Sequence, residues 1–327
     1  MIEKTKHKLK FREDGTFRVL MMSDLQESTH YDPRSLRSVE VLVDEADPDL
    51  VVFGGDNCNG HEISSDEELK EFLSIFTSVL ETRQIPWAHV FGNHDHEVPI
   101  DIGVHQSVYE SFPMCVSSHT GDDVHGKTNF LLPVYNKNDE PALAIWCLDT
   151  NYTINSKQEW ICELSRNGGR LPFEPNTISN DIGFWGALFA DQLLWYNDKS
   201  VELEKLAGRK VPGLLCMHIG VKAYCLAQSL PKDYIKSGNY DEVFNGLALD
   251  PGLFEMLKHR ADIIGISCGH THRNDFEAEV DGIRLFWDAS VGYRCYGVDE
   301  RRGGRLFIFN EENPTEFKSR MIRTLGK

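Results

Sequence analysis

Three apolar runs in the first hundred residues each stop abruptly on a polar side chain able to bind a metal. FRVLMMSD (17–24) ends on Asp24, DLVVFGGD (49–56) on Asp56, and PWAHVFGNHD (86–95) runs through Asn93 and His94. Between them lie two helical patterns. PRSLRSVEVLVDEA (33–46) opens on Pro33, and SDEELKEFLSIFTSVLETR (65–83) carries acids in its first turn, both marks of a helix start. This βαβαβ spacing predicts a parallel sheet with right-handed crossovers. Near-continuous apolar strands predict that both faces of the sheet are covered. In open parallel sheets the site lies beyond the carboxyl ends of the strands. The three polar endings are therefore expected to converge, although 32 and 37 residues separate them in sequence.

Further along, TNFLLPVY (128–135), ALAIWCLDT (142–150), GLLCMH (213–218) and ADIIGISCGH (261–270) read as strands, and 190–207 and 251–260 as helices. The last 55 residues read as short strands with turns. Segments 151–186 and 220–248 read as loop or lid insertions rimming a site. Trp160, Phe173, Trp185 and Tyr224 could supply them with an aromatic wall, or pack them onto the body. With no internal repeat and no linker, 1–327 is expected to form a single domain.

Charge narrows the function. Lys and Arg number 34 against 51 Asp and Glu, a net charge of −17. Such a field repels phosphate and disfavours a long nucleic-acid partner, so a phosphate-handling site would need bound cations. No 18-residue apolar run occurs, and the eight cysteines form no CxxC pair. A cytoplasmic protein with core thiols and no membrane association is the expectation.

Five pieces carry the chemistry: SDLQ (23–26), GGDN (54–57), GNHDHE (92–97), CMHIG (216–220) and GHTHRND (269–275). As donors they offer Asp24, Gln26, Asp56, Asn93, His218, His270 and His272. This oxygen and nitrogen set without thiolates suits a pair of Mn, Fe, Zn or Mg ions rather than a cysteine-rich zinc site. Taken singly, a Gly-Asp pair is a turn and a strand-end histidine is a packed one. Their joint occurrence at strand ends is what points to a metal centre.

In that order the pieces resemble the pattern D-x-H, G-D, G-N-H-D/E, H, G-H-x-H of the calcineurin-like metallophosphoesterases. The runs DPGLFEMLKHRADIIGISCGHTHRNDF and GIRLFWDASVGYRCYG are similar to the purple-acid-phosphatase-like group of plants, yeasts and bacteria. The resemblance implies an α/β fold, a four-layer αββα sandwich of two mixed β-sheets flanked by helices. It implies one ion on Asp24, Gln26, Asp56 and His272. A second ion falls to Asp56, Asn93, His218 and His270, with Asp56 bridging. His94 is implied to face the scissile phosphate, and with Asp56 forms the catalytic pair. Asp149 in CLDTN matches a family position near the site. Arg273 and Arg294 are further candidates for phosphate contact, against a plain solvated or ion-paired role.

Gln26 departs from the pattern, which has histidine there. A neutral amide oxygen binds hard cations but is a poorer donor than imidazole to Zn²⁺ or Fe²⁺. Either Gln26 ligates and shifts the first ion toward a harder metal, or water takes its place. The expected reaction is metal-dependent hydrolysis, a bridging hydroxide attacking a phosphomonoester or phosphodiester. Its substrate would be a small phosphate ester or a phosphoprotein. The alternative is a binding module of the same fold whose weakened metal site recognises a partner.

Overall fold

A computed structural model describes residues 6–152, 185–229, 235–244 and 246–326. The expected insertion over 151–186 falls largely outside them, as do Trp160 and Phe173. Among the described residues no helix is long and apolar enough to cross a membrane.

The chain forms two sheets. Strands β1 (Leu9–Lys10), β5 (Phe130–Tyr135), β6 (Pro141–Cys147), β7 (Gly213–Cys216), β8 (Ile235–Ser237), β9 (Ile263–Cys268), β10 (Glu277–Val280) and β11 (Ile283–Trp287) make an eight-stranded one. Its order is β1-β5-β6-β7-β9-β11-β10-β8. The other takes β2 (Thr16–Met22), β3 (Leu50–Gly54), β4 (Trp87–Val90), β12 (Gly303–Asn310) and β13 (Lys318–Arg323), in the order β13-β12-β2-β3-β4. The expected parallel unit is here: β2, β3 and β4 run parallel, and β12 returns antiparallel on β2. Both sheets are thus mixed.

Side-chain alternation explains the layering, because successive residues of a strand face opposite sides. Val19, Met21, Leu50 and Val52 point into a core shared with Leu143, Ile145, Leu214 and Cys216 of the second sheet. Their neighbours Leu20, Met22, Val51 and Phe53 pack outward on Val39, Leu42, Leu69 and Phe72. Those four belong to helices α1 (Pro33–Ala46) and α2 (Asp66–Phe76). On the far side Trp146, Leu215 and Ile266 cover Leu193, Tyr196, Leu253 and Leu257, from helices 190–207 and 253–260. The outcome is helix, sheet, sheet, helix, the expected four layers.

Helix boundaries follow local chemistry. The Asp32 side chain accepts the Arg34 N–H and Pro33 opens α1, while Ser65 caps α2 by accepting from Glu68. The stretch 65–83, expected as one helix, breaks at Thr77, whose hydroxyl donates to the Leu73 carbonyl at 2.7 Å. A short helix α3 (Ser78–Arg83) follows, then α4 (Ile102–Glu110), which the sequence pattern does not announce and which Asp101 caps.

Main-chain pairing continues past the strand ends and ties the two sheets together. Asp24 N–H donates to Gly55 O, Gln26 N–H to Asp56 O, Val291 N–H to Ser23 O and Gly269 N–H to His218 O. Loops from both sheets are stitched at this one edge.

Candidate metal centre

At that edge the chain leaves β2, β3 and β9 in an unusual backbone conformation. Asp24 (φ +54°), Gln26 (+43°), Asp56 (+49°) and His270 (+79°) all occupy the left-handed region, uncommon for residues with a Cβ and costly unless the surroundings enforce it. The glycines make room. A Cβ on Gly92 would lie 2.2 Å from Asp56 Oδ1, and one on Gly269 2.4 Å from Asp24 Oδ2.

The side chains gather into two overlapping clusters. Donor atoms of Asp24, Asp56 and His272 lie within 4.8 Å of one another, and so do those of Asp56, His218 and His270. Asp56 is common to both. His218 Nε2 sits 3.0 Å from Asp56 Oδ2 and His272 Nε2 3.1 Å from Asp24 Oδ1. Both rings are fixed from behind: Nδ1 of His218 donates to Gly54 O at 2.9 Å, and Nδ1 of His272 to Tyr296 O at 2.7 Å. The main-chain N–H of His270 donates to both oxygens of Asp24.

Electrostatics mark the cluster as a place for positive charge. Burial disfavours ionised Asp24, yet His272 beside it outweighs burial and holds the carboxyl below the usual range. Asp56 is held well below its usual range in the same way, by His218 against burial. The reciprocal effect of Asp56 lifts His218 to about 9 against its own burial. Burial, with His218 next to it, pushes His270 down to about 3. Two carboxylates thus hold two imidazolium protons, in positions where divalent ions can replace them.

A fit test comes from the unmatched atoms. Asn93 Oδ1 and His270 Nδ1 are buried without a hydrogen-bond partner, although buried polar atoms are normally satisfied. Both are electron-pair donors on residues that line the same cavity. The residues present fit a pair of divalent cations.

Gln26 lies within the group. Its amide nitrogen donates to Asp56 Oδ2 at 3.1 Å and stands 3.4 Å from His272 Nε2. Turning the amide over puts Oε1, the ligating atom, in the same spot. A cavity of about 310 Å³ opens above, lined by Gln26, Asp56, Asn93, His94, Trp185, Glu242, His270, His272 and Tyr296 among others. Trp185 stands between His94 and His270, its ring 6.4 and 6.0 Å from theirs.

His94 reaches the cavity with Nδ1 held 2.7 Å from Glu97 Oε2. Burial lowers its pKa, but Asp56 and Glu97 outweigh burial and the net shift is upward. The orienting residue is Glu97, not the adjacent Asp95. Asp95 instead accepts main-chain N–H groups of Asn57, Cys58 and Gly92 and so fixes the turn. A carboxylate three residues after His94, one turn on, was the signal available for Glu97.

Two residues expected near the site or the phosphate are engaged by other partners. Asp149 is fully buried, its oxygens taken by the N–H groups of Lys127 and Asn151. Arg294 is clasped to Glu62 at 2.6 and 2.7 Å and to the His30 carbonyl. Neither lines the cavity. Arg273 is exposed, its guanidinium 5.9 Å from the ring centre of Tyr296 on the cavity wall. Tyr224, a candidate for the aromatic wall, is core: its hydroxyl donates to the Ile266 and Phe286 carbonyls.

Comparisons with known proteins give the family and the fold. A family model described as calcineurin-like phosphoesterase matches residues 17–274. The chain is 25% identical to probable inactive purple acid phosphatase 14 of Arabidopsis thaliana, over 89% of this chain and 74% of the relative. It is 23% identical to the phosphatase DCR2 of Saccharomyces cerevisiae, over 82% of this chain and 46% of that protein. In fold it is similar to a dimetal phosphatase from Danio rerio, with a TM-score of 0.55 at 14% identity, over 93% of this chain and 98% of the other. With donor clusters at the strand ends, two stacked mixed sheets and a family model spanning most of its length, the chain belongs to the calcineurin-like phosphoesterases.

Proposed function

We propose that this chain is a metal-dependent phosphoesterase that hydrolyses a phosphomonoester or phosphodiester, in a small molecule or a phosphoprotein. The observation that carries this reading is the double membership of Asp56, whose carboxylate belongs to both donor clusters as a bridging ligand must. Asp24, Gln26, Asp56 and His272 would hold one ion, and Asp56, Asn93, His218 and His270 the other. Donors limited to oxygen and nitrogen suit Mn, Fe, Zn or Mg. Two such ions, when bound, supply the Lewis acidity that activates water and offsets charge on the phosphoryl oxygens.

The chain's own side chains do the rest. Among the described residues no lysine or arginine lines the cavity, which leaves His94 as the protein's cationic donor to phosphate. Glu97 keeps the Nδ1 proton in place, so Nε2–H is free to bond a phosphoryl oxygen or to give its proton to the leaving oxygen. Trp185 and Tyr296 wall the space beside it. The acidic surface disfavours long nucleic acids. The free thiols among the described cysteines suit the cytoplasm.

A second reading has its own support. The Arabidopsis relative is named inactive, and Gln26 weakens one donor set, as a module that binds a partner through its metal site would tolerate. Metal analysis followed by assays on a chromogenic monoester and its diester, with Mn²⁺, Zn²⁺ or Mg²⁺ added, separates the two. Hydrolysis restored by a metal is expected; if none restores it, the binding module stands.

A further inference from the structure

Behind the turn that carries Asn93 and His94 lies a second set of donors that phosphate hydrolysis does not use. Cys58 Sγ, a carboxylate oxygen of Asp95 and a ring nitrogen of His105 lie within 4.8 Å of one another, all three side chains buried. Cys58 ends the turn after β3, Asp95 follows His94, and His105 stands in α4. Three separate segments converge on a spot with no exposure to solvent.

Two side chains there lack partners. His105 is 0% exposed and neither of its ring nitrogens makes a hydrogen bond. One helical turn on, the hydroxyl of Tyr109 is buried and equally unmatched. Asp95 is a fully buried carboxylate with no lysine or arginine paired to it among the described residues. Main-chain N–H groups and the Asn57 side-chain amide solvate it, and the Cys58 thiol donates to Oδ1 at 3.3 Å. Buried polar groups are normally paired or coordinate metals, and the His105 imidazole, beside a thiol and a carboxylate, has no hydrogen-bond partner.

We propose that Cys58, Asp95 and His105 bind a structural divalent transition-metal ion, separate from the paired centre. The donor chemistry favours zinc, which takes sulfur, nitrogen and oxygen together and is closed to solvent in structural sites. Bond lengths of about 2.0–2.3 Å in a tetrahedron set ligand atoms roughly 3.3–3.8 Å apart. The Cys58–Asp95 separation already matches, and the cluster needs a contraction of up to about 1.5 Å elsewhere. The fourth position falls to the Tyr109 oxygen or a water. Charge balances: the Cys58 thiol releases its proton to solvent, and thiolate plus carboxylate neutralise the dication while His105 stays neutral. The ion would pin the 92–97 turn to α4 from behind and leave the cavity face untouched.

The sulfur supplies the test, because the proposed paired centre has none. Full-length protein stripped of metal and reloaded with cobalt(II) should show a thiolate-to-cobalt charge-transfer band in the near ultraviolet. Cys58→Ser should lose the band and one equivalent of cobalt, and His105→Gln should bind one equivalent fewer. Cys295→Ser should keep the band, although that thiol lies 3.6 Å from the Asp24 carbonyl. No band in the wild-type protein, or a band that survives in Cys58→Ser, overturns the proposal. Equal metal content in wild type and Cys58→Ser, the result for a buried water in the site, overturns it too. The wild-type spectrum decides even if a variant fails to fold, and it is independent of whether the protein hydrolyses phosphate.

Discussion

Replacing Arg305 with methionine should cost the fold about 3–5 kcal/mol near neutral pH, with about 2 kcal/mol of that recovered on acidification. Arg305 lies in β12 of the five-stranded sheet and is 2% exposed. It crosses the interface to Asp288, just after β11 of the other sheet, with Nε 2.6 Å from Oδ1. It also donates to the carbonyls of Asp275 and Trp287 at 3.1 and 2.9 Å. Burial raises Asp288 from 3.8 to about 6, and Arg305 holds it from rising further. At about 1.4 kcal/mol per unit, keeping that carboxyl ionised at neutral pH already costs the native state about 3 kcal/mol. Without Arg305 the carboxyl rises above the working pH and takes up a proton. At about pH 7.5 the cost then becomes about 5 kcal/mol, so the charge part of the substitution is the difference, about 2 kcal/mol. The two carbonyls left without donors add about 1–3 kcal/mol.

The sign follows from linkage. A carboxyl raised in the folded state binds a proton before the unfolded chain does. Stability from it is therefore complete below the unfolded value of 3.8 and is lost as pH rises through the folded one. Wild type loses it around pH 6 and the variant only at higher pH. By about pH 5 both carry the proton, and only the hydrogen-bond deficit remains. Urea denaturation followed by tryptophan fluorescence at the two pH values measures both numbers. A destabilisation that is the same at both, or below about 1 kcal/mol at about pH 7.5, refutes the account.

Asp56→Asn removes the charge shared by both clusters and should empty the paired site, leaving only the ion proposed behind the 92–97 turn, with any hydrolysis down by about 10³-fold; elemental analysis and turnover report it. Gln26→His should tighten the more weakly held ion by about tenfold without abolishing turnover, and an unchanged metal titration would show that Gln26 is no ligand. Glu97→Ala removes a charge-assisted hydrogen bond of about 1.5–3 kcal/mol. It should slow turnover of an alkyl phosphate about 10–100-fold and p-nitrophenyl phosphate much less, because the latter's leaving group needs no proton; equal losses would rule out leaving-group protonation by His94.

The strand ends were legible because their chemistry conflicts with their setting: an acid or Asn-His pair after an apolar run has no packing purpose. The α1 boundaries were legible too, Asp32 and Pro33 being local signals. What the sequence could not show was choice among partners. Nothing in β12 announces that, besides its neighbour β13, it pairs with β2, a contact between segments nearly three hundred residues apart. The break at Thr77 depends on a hydroxyl finding its own helix carbonyl, while the apolar pattern runs straight through. Arg294 resembles a phosphate ligand in sequence, since only the fold brings Glu62 to it. Asp149 is similar: its three-dimensional neighbours are N–H groups of a distant loop, which no spacing rule reports.

Four residues around the proposed paired centre hold their backbone in the left-handed region. The bends are made by stitching between loops, with main-chain bonds such as Asp24 to Gly55 and Gln26 to Asp56, and so are in place with or without guests. Dialysis against a chelator should accordingly leave an intact scaffold that can be refilled with a different metal. Which element occupies it in a cell would then be decided by supply and relative affinity, as with a socket moulded before the plug is chosen.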